Sequence, residues 1–295
     1  MFMIRVCLIG LGKTGSEVAK VLLAQDSIKL VAAICSPGSV KAGRDLGEII
    51  GLRDTGIIVQ GADRLEEMVF RTKPDVALDF SRPEATIRNS VILSRMKVNM
   101  VIATTGFSGF SLKRLFVLTR KYHNGIVYAP NITLGVNVMM LLTGIASSIL
   151  NNYDFHVNEE HHNRKKDIPS GTAMKIAGEI EKARDRSGAH DGDGPVRPVP
   201  INAVRAGGIV GKHEVLIAGD EDMLEISHQS FSRKAFASGA ISAIKFVYKK
   251  AGYFEMSDVL NLSSVLANYI ERDKKRHAGR GANMKDITFP GVSDA

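Results

Sequence analysis

Residues Ile4 to Ile9 form a short apolar run that passes directly into Gly10-Leu11-Gly12-Lys13-Thr14-Gly15. Such a run reads as a buried parallel strand. Ser16 to Ala24 then shows helical spacing, with Val18, Val21 and Leu22 on one side, and Lys29 to Ile34 is a second apolar run. Strand, glycine turn, helix and strand within about 30 residues is the setting in which GxGxxG seats a dinucleotide pyrophosphate. Gly10 permits the tight turn, Gly12 admits the pyrophosphate, and Gly15 lets the helix pack on the strand. Lys13 and Thr14 complete the candidate cofactor loop.

The end of the second strand bears on which cofactor fits. An acid there grips the ribose hydroxyls of NAD. This chain has Cys35-Ser36 instead, followed by Ser39, Lys41 and Arg44. That pattern favours the extra phosphate of NADPH, with NADH as the alternative. Further strands are predicted over Val76–Phe80, Val98–Ala103 and Gly125–Tyr128, alternating with helices over Glu84–Met96 and Leu112–Tyr122. The last two strands end in Ala103-Thr104-Thr105-Gly106 and Pro130-Asn131. Ligands bind at the carboxyl ends of strands in open parallel sheets, which makes Ala103, Thr104, Thr105, Pro130 and Asn131 candidates for the nicotinamide end.

The pattern changes after an apolar helix over Asn137–Leu150. A strand over Asp154–Glu159 leads into Glu160-His161-His162-Asn163-Arg164-Lys165-Lys166-Asp167-Ile168-Pro169-Ser170-Gly171-Thr172, and a helix follows over Thr172–Arg186. Free N–H groups at that helix start, with the hydroxyls of Ser170 and Thr172 and the flexible Gly171, make a seat for a carboxylate. His161, His162 and Lys165 beside it supply positive charge and a proton donor. An ordinary helix cap in a solvated basic loop is the simpler reading of the same residues. No ligand set for a metal is evident, since adjacent strand histidines diverge and no further acidic or cysteine cluster completes one. The stretch from Ser187 to Pro200 reads as a surface loop. Strands are then expected over Ile201–Arg205, His213–Ala218 and Met223–Gln229, a helix over Ser238–Lys250, and a mobile polar tail after Arg272. Consecutive strands joined by short turns imply a mixed sheet in an α+β domain.

The fold class expected is therefore α/β: a doubly wound, Rossmann-type parallel sheet with a second α+β domain. Residues 1–130 with 238–295 would form the dinucleotide domain, and 131–237 the substrate-binding and oligomerisation domain. The net charge of +8 raises nucleic acid as a partner. The basic residues are dispersed and Trp is absent, so a polyanionic cofactor and an acidic small molecule fit better. No apolar run approaches the roughly 20 residues of a membrane span. The amino terminus carries no signal-peptide pattern, and cytoplasmic residence is the expectation. Cys7 reads as a core residue, and neither cysteine suggests a disulfide.

These motifs in this order resemble the dihydrodipicolinate reductase (4-hydroxy-tetrahydrodipicolinate reductase) family. The Glu160 to Ala173 segment carries most of the likeness, supported by Asp79-Phe80-Ser81-Arg82-Pro83-Glu84, Ala103 to Phe107, Val204-Arg205-Ala206-Gly207 and Leu224 to His228. The resemblance spans about residues 4 to 262. It implies a nicotinamide hydride donor, a cyclic dicarboxylate substrate on the diaminopimelate route to lysine, and a homotetramer built through the second domain's sheet. It also implies His161 at the proton-transfer step, Lys165 as acid or carboxylate partner, and His162, Ser170, Gly171 and Thr172 at the substrate. The chain departs from the family in a first loop one residue shorter, with Lys13 near the lost Arg, in Ala103 where a Gly is common, and in Ile132-Thr133 after Pro130-Asn131. Such departures leave two other readings: a dehydrogenase of a diamino acid, or a non-catalytic NADP-binding paralogue.

Overall fold

The opening apolar run is strand β1 (Ile4–Ile9), with five of its six residues buried. The structure is a computed structural model that describes residues 3–186 and 197–272. After β1 come α1 (Lys13–Leu23), β2 (Ile28–Cys35), α2 (Leu46–Ile50), β3 (Gln60–Gly61), a 3-10 turn over Ala62–Arg64 and α3 (Leu65–Thr72). Then follow β4 (Val76–Asp79), α4 (Pro83–Arg95), β5 (Asn99–Ile102), α5 (Gly109–Tyr122) and β6 (Gly125–Tyr128). The second half contains α6 (Leu134–Ile149), β7 (Asp154–His161), α7 (Gly171–Arg186), β8 (Ile201–Arg205), β9 (Gly211–Ala218) and β10 (Met223–Ser230). The last elements of this unit are α8 (Lys234–Val247), β11 (Gly252–Glu255) and α9 (Met256–Val259).

Seven strands make one parallel sheet in the order β3-β2-β1-β4-β5-β6-β11. The chain runs outward in both directions from β1, so the order reverses between β1 and β4, where such sheets open a crevice for ligands. Helices α1 and α8 pack together over one face, while α3, α4 and α5 pack in series on the other. This is the doubly wound architecture that the sequence pattern implies. Its core includes Cys7, Ile9, Ile34, Leu65, Met100, Ile102 and Ile126.

The turn after β1 owes its shape to two glycines. Gly10 has φ +93°, and a Cβ there would overlap the Phe80 carbonyl. A Cβ on Gly15 would overlap the Gly10 carbonyl oxygen, so α1 approaches the strand only because no side chain intervenes. That approach explains a boundary: α1 begins at Lys13, three residues before the expected Ser16. Lys13, Thr14 and Gly15 are thus the first helical turn, whose N–H groups have no intrahelical acceptor.

The second sheet has four strands in the order β10-β9-β7-β8. β7 and β8 are parallel; β9 runs antiparallel to both β7 and β10, so the sheet is mixed as expected. Phe155 and Val157 from β7 and Val215 and Ile217 from β9 pack with Ile176 and Ile180 of α7 in a separate core. β7 extends to His161, two residues beyond the predicted end at Glu159. Helix α8 starts at Lys234 instead of Ser238, because a turn anchored on the Ser232 and Arg233 carbonyls already winds the chain. The expected loop over Ser187–Pro200 and the mobile tail after Arg272 fall mostly or wholly outside the described residues. The described residues from 260 onward belong to a separate unit, helical over 262–272. Among the described residues no helix is long and apolar enough to cross a membrane.

Candidate active site

The carboxyl ends of β1, β2, β5 and β6 carry the candidate cofactor residues. Nothing lies within 4 Å of where a Cβ on Gly12 would sit, so the loop offers open space beside the first turn of α1. A helix N-terminus facing such space is a natural phosphate seat. The Lys41 ammonium donates to the Leu11 carbonyl, which brings a cation from the loop after β2 onto the glycine turn. Arg44 instead pairs with Glu48 at 2.7 Å. Cys35 is buried and its thiol donates to the Gln60 carbonyl at 3.4 Å, while Ser36 is exposed at the strand end.

Thr104 is 5% exposed and belongs to a buried network. Its hydroxyl accepts from Thr86 at 3.2 Å and donates to Asp79 Oδ1 at 3.3 Å, and the Ser81 N–H donates to the same oxygen at 2.7 Å. Thr105 is exposed beside it, and Ala103 and Pro130 are half-buried. The network joins the ends of β4 and β5, and Thr105 stays exposed beside it.

The second cluster forms where β7, β8 and β9 meet the start of α7. Glu159 and His161 lie two apart on β7, so both side chains point to the same inward face. Strand register places His213 of β9 opposite Glu159, and Arg205 of β8 opposite His161. Glu159 is fully buried. Its Oε1 accepts from Arg205 Nη2 at 2.6 Å and from the Ser170 N–H at 3.0 Å. Its Oε2 lies 2.5 Å from His161 Nδ1. Burial opposes ionisation of Glu159, but Arg205 and the Ser170 amide outweigh it and hold the carboxyl below its ordinary range. Burial lowers His161, with Glu159 opposing and the charges of Lys165 and Arg205 adding. The His213 ring stands edge-on to His161 at 5.1 Å and meets the Ser170 hydroxyl at 3.3 Å.

The predicted loop residues separate into two groups. Lys165 reaches Asp167 at 2.8 Å and is near enough for its charge to act on His161. His162 is lowered by burial first, then by the charges of Arg233, Arg164 and Lys13. Thr172 donates to Asn131 Oδ1 at 2.7 Å, joining the start of α7 to the strand end after β6. Ser170 is different: its amide is given to Glu159, and its hydroxyl accepts from the Ala173 N–H at 3.2 Å. It caps α7, and Gly171 and Thr172 follow it in the first turn of that helix. A small cleft of about 70 Å³ is lined by Asn131, His161, Thr172, Gly211, His213 and His228, among others.

Two family models cover almost all of this architecture. The model for the dihydrodipicolinate reductase N-terminus matches residues 4–132, and that for the C-terminus matches residues 135–260. The chain belongs to the dihydrodipicolinate reductase family. It is 36% identical over 272 residues to the 4-hydroxy-tetrahydrodipicolinate reductase of Methanococcus aeolicus, covering 88% of this chain and 100% of that one. Identity to the Methanopyrus kandleri reductase is 37% over 268 residues, with 88% and 97% covered. Among solved structures, a dipicolinate-bound dihydrodipicolinate reductase from Paenisporosarcina sp. TG-14 superposes with a TM-score of 0.70 at 26% identity, covering 86% of this chain and 98% of that one. An amine dehydrogenase from Mycobacterium smegmatis, at 18% identity and a TM-score of 0.61, shares the fold alone.

Three residues of this reductase site were not singled out as site residues from the sequence: Glu159, Arg205 and His213. The available signal was parity. Glu159 occupies an inward position in line with Phe155 and Val157, and His213 one in line with Val215 and Ile217. A charged or titratable residue at such a position needs a buried partner.

Proposed function

We propose that this chain reduces the cyclic dicarboxylate 4-hydroxy-tetrahydrodipicolinate to tetrahydrodipicolinate, using NADPH or NADH, on the diaminopimelate route to lysine. The observation that carries this reading is the convergence of a carboxylate-backed His161 and the start of α7 on one cleft, with Lys165 near enough for its charge to act on His161. A bound nicotinamide would supply the hydride. The open space at Gly12 and the free first turn of α1 fit its pyrophosphate, with Gly10, Gly12, Lys13, Thr14 and Gly15 as the cradle. Ser36 takes the ribose position in place of the buried Cys35. Ala103, Thr105, Pro130 and Asn131 line the nicotinamide end, supported by Thr104. Lys41 on the glycine turn, with no acid at the end of β2, favours NADPH at least as strongly as NADH.

Gly171 and Thr172 seat one substrate carboxylate, with Ser170 holding the helix start in place. Lys165 exchanges Asp167 for the substrate, as its acid or carboxylate partner. His162, neutral at pH 7, borders the substrate, and His161 carries the proton at its cleft-facing nitrogen. Glu159, His161 and His213 bring three possible ligand atoms within 4.8 Å of one another, a set the sequence did not show, but Arg205 and the Ser170 amide already hold the carboxylate, so the cluster is assigned no metal. Residues 1–130 with 238–295 serve the cofactor, and 131–237 serve substrate and assembly. A homotetramer joined through the open face of the mixed sheet, where Leu224 and Met223 are exposed, and cytoplasmic residence complete the proposal.

The test is NADPH and NADH consumption with dihydrodipicolinate synthase supplying the substrate. Turnover with NADPH at least equal to that with NADH is expected. Lys165→Ala should lower kcat by about 10²-fold or more, the scale of a general acid, with cofactor binding unchanged. No turnover with either cofactor, or a fully active Lys165→Ala, would remove the assignment.

A further inference from the structure

Burying a carboxylate costs several kcal/mol unless it is paired and hydrogen-bonded. Glu159 sits fully buried on the inward face of β7, where apolar residues precede it. Its Oε1 is fixed twice, by Arg205 at 2.6 Å and by the Ser170 amide at 3.0 Å. Arg205 is itself anchored on the Asp167 and Val204 carbonyls at 2.6 Å and 2.8 Å. The carboxylate is thus held through Oε1, and Oε2 lies 2.5 Å from His161 Nδ1, two buried atoms with no other hydrogen-bond partner among the described residues. On the other side of the ring, Nε2 points past Gly211, 3.1 Å from where a Cβ on that residue would sit, at the cleft wall.

We propose that Glu159, locked by Arg205, is a positioning residue that sets the tautomer and direction of His161, making Nε2 the atom that handles the proton. A neutral imidazole carries its hydrogen on the nitrogen that faces an acceptor. With Oε2 against Nδ1, that hydrogen is on Nδ1, and Nε2 is left to take up or deliver a proton in the cleft. The same arrangement steadies the imidazolium when Nε2 is protonated. Glu159 touches neither substrate nor cofactor and acts only through His161. The inference rests on the proposed role of His161 in proton transfer.

The groups facing His161 come from each neighbouring element. Glu159 is on its own strand, Arg205 on β8, His213 on β9 and Lys165 on the following loop, with Asp167 behind Lys165 and His228 on β10 beyond His213. Among the described residues Glu159 is the one acid in direct contact, and it opposes the effect of burial on His161. Removing its charge lowers the histidine further. If protonated His161 is the active form, the alkaline loss of kcat then begins at lower pH.

The experiment compares wild type, Glu159→Gln, Arg205→Lys and His161→Gln, each checked for folding by thermal melting. Expected for Glu159→Gln are a fall in kcat of about 10²-fold, little change in KM, an alkaline limb moved to lower pH, and a shift of the His161 hydrogen from Nδ1 to Nε2 in nitrogen-15 NMR spectra. Arg205→Lys keeps a buried cation but loses the fork, and should show the same changes in smaller degree; it also serves if Glu159→Gln does not fold. Wild-type kcat, pH profile and tautomer in these variants, with His161→Gln impaired, would overturn the positioning role alone. A fully active His161→Gln would overturn the underlying assignment of the proton step, and the positioning role with it.

Discussion

His213 is buried in the mixed sheet, and burial above all, helped by the charge of His161, holds its imidazole down to about 3. An unfolded histidine titrates near 6.5. Between about 3 and 6.5 the unfolded chain binds a proton there that the folded chain refuses, so stability rises with pH across that window and is lost on acidification. The slope from one such group approaches about 1.4 kcal/mol per pH unit. His161 and His228, also lowered first by burial, add in the same direction. Urea unfolding of wild type and His213→Asn at a series of pH values should show a shallower dependence in the variant. Parallel curves would mean that His213 is not held neutral by the fold. At this scale, the sequence made His161, Lys165 and Thr172 visible because they share one short loop. Glu159, Arg205 and His213 stand on three strands, and only pairing register brings them together.

Helix α1 shows how a single residue type fixes the place of an element. A methyl at Gly15 would overlap the Gly10 carbonyl, and neither group is free to move without shifting β1 or the helix. Gly15→Ala should lower stability by about 1–3 kcal/mol, the usual cost of overpacking, and should weaken NADPH binding more than dicarboxylate binding. Melting and titration with each ligand check this; undiminished NADPH affinity would show that the first turn of α1 is not the phosphate seat. Most long elements were legible because their periodicity is strong. The segments from 46 to 72 and from 252 to 259 were not. β3 has two residues, α2 five and β11 four, too short for periodicity to register. β11 joins the sheet because Asn99, buried in β5, donates to the Val247 and Lys250 carbonyls and holds the end of α8 beside it.

Across the molecule, the Thr172–Asn131 hydrogen bond links the start of α7 to the residue that follows β6. Hydride transfer needs the two reacting carbons within roughly 3–3.5 Å, so the cofactor and substrate sites must meet over their ligands. In the proposed seat the Thr172 hydroxyl turns from Asn131 to the substrate carboxylate, and Thr172→Val removes that donor while keeping the side chain's shape. Dipicolinate should then bind about 10-fold or more weaker, the scale of a hydrogen bond to a charged group, with NADPH affinity unchanged. Small-angle scattering of the wild type should show contraction on adding dipicolinate only when cofactor is present. Equal dipicolinate affinity in Thr172→Val would reduce that turn to a helix cap. The mixed sheet spans residues 154–230, between β6 and β11 of the parallel sheet, so the chain crosses out once and back once. The crossings lie side by side, with the Ile132 carbonyl against Gly239 of α8, and two crossings restrict a lobe more than one does. A single linker would let the lobe wander through many orientations, most of them unproductive. Cutting the backbone at the return crossing, near Phe231, would keep every catalytic side chain and still slow turnover, because the lobe would hang by one connection.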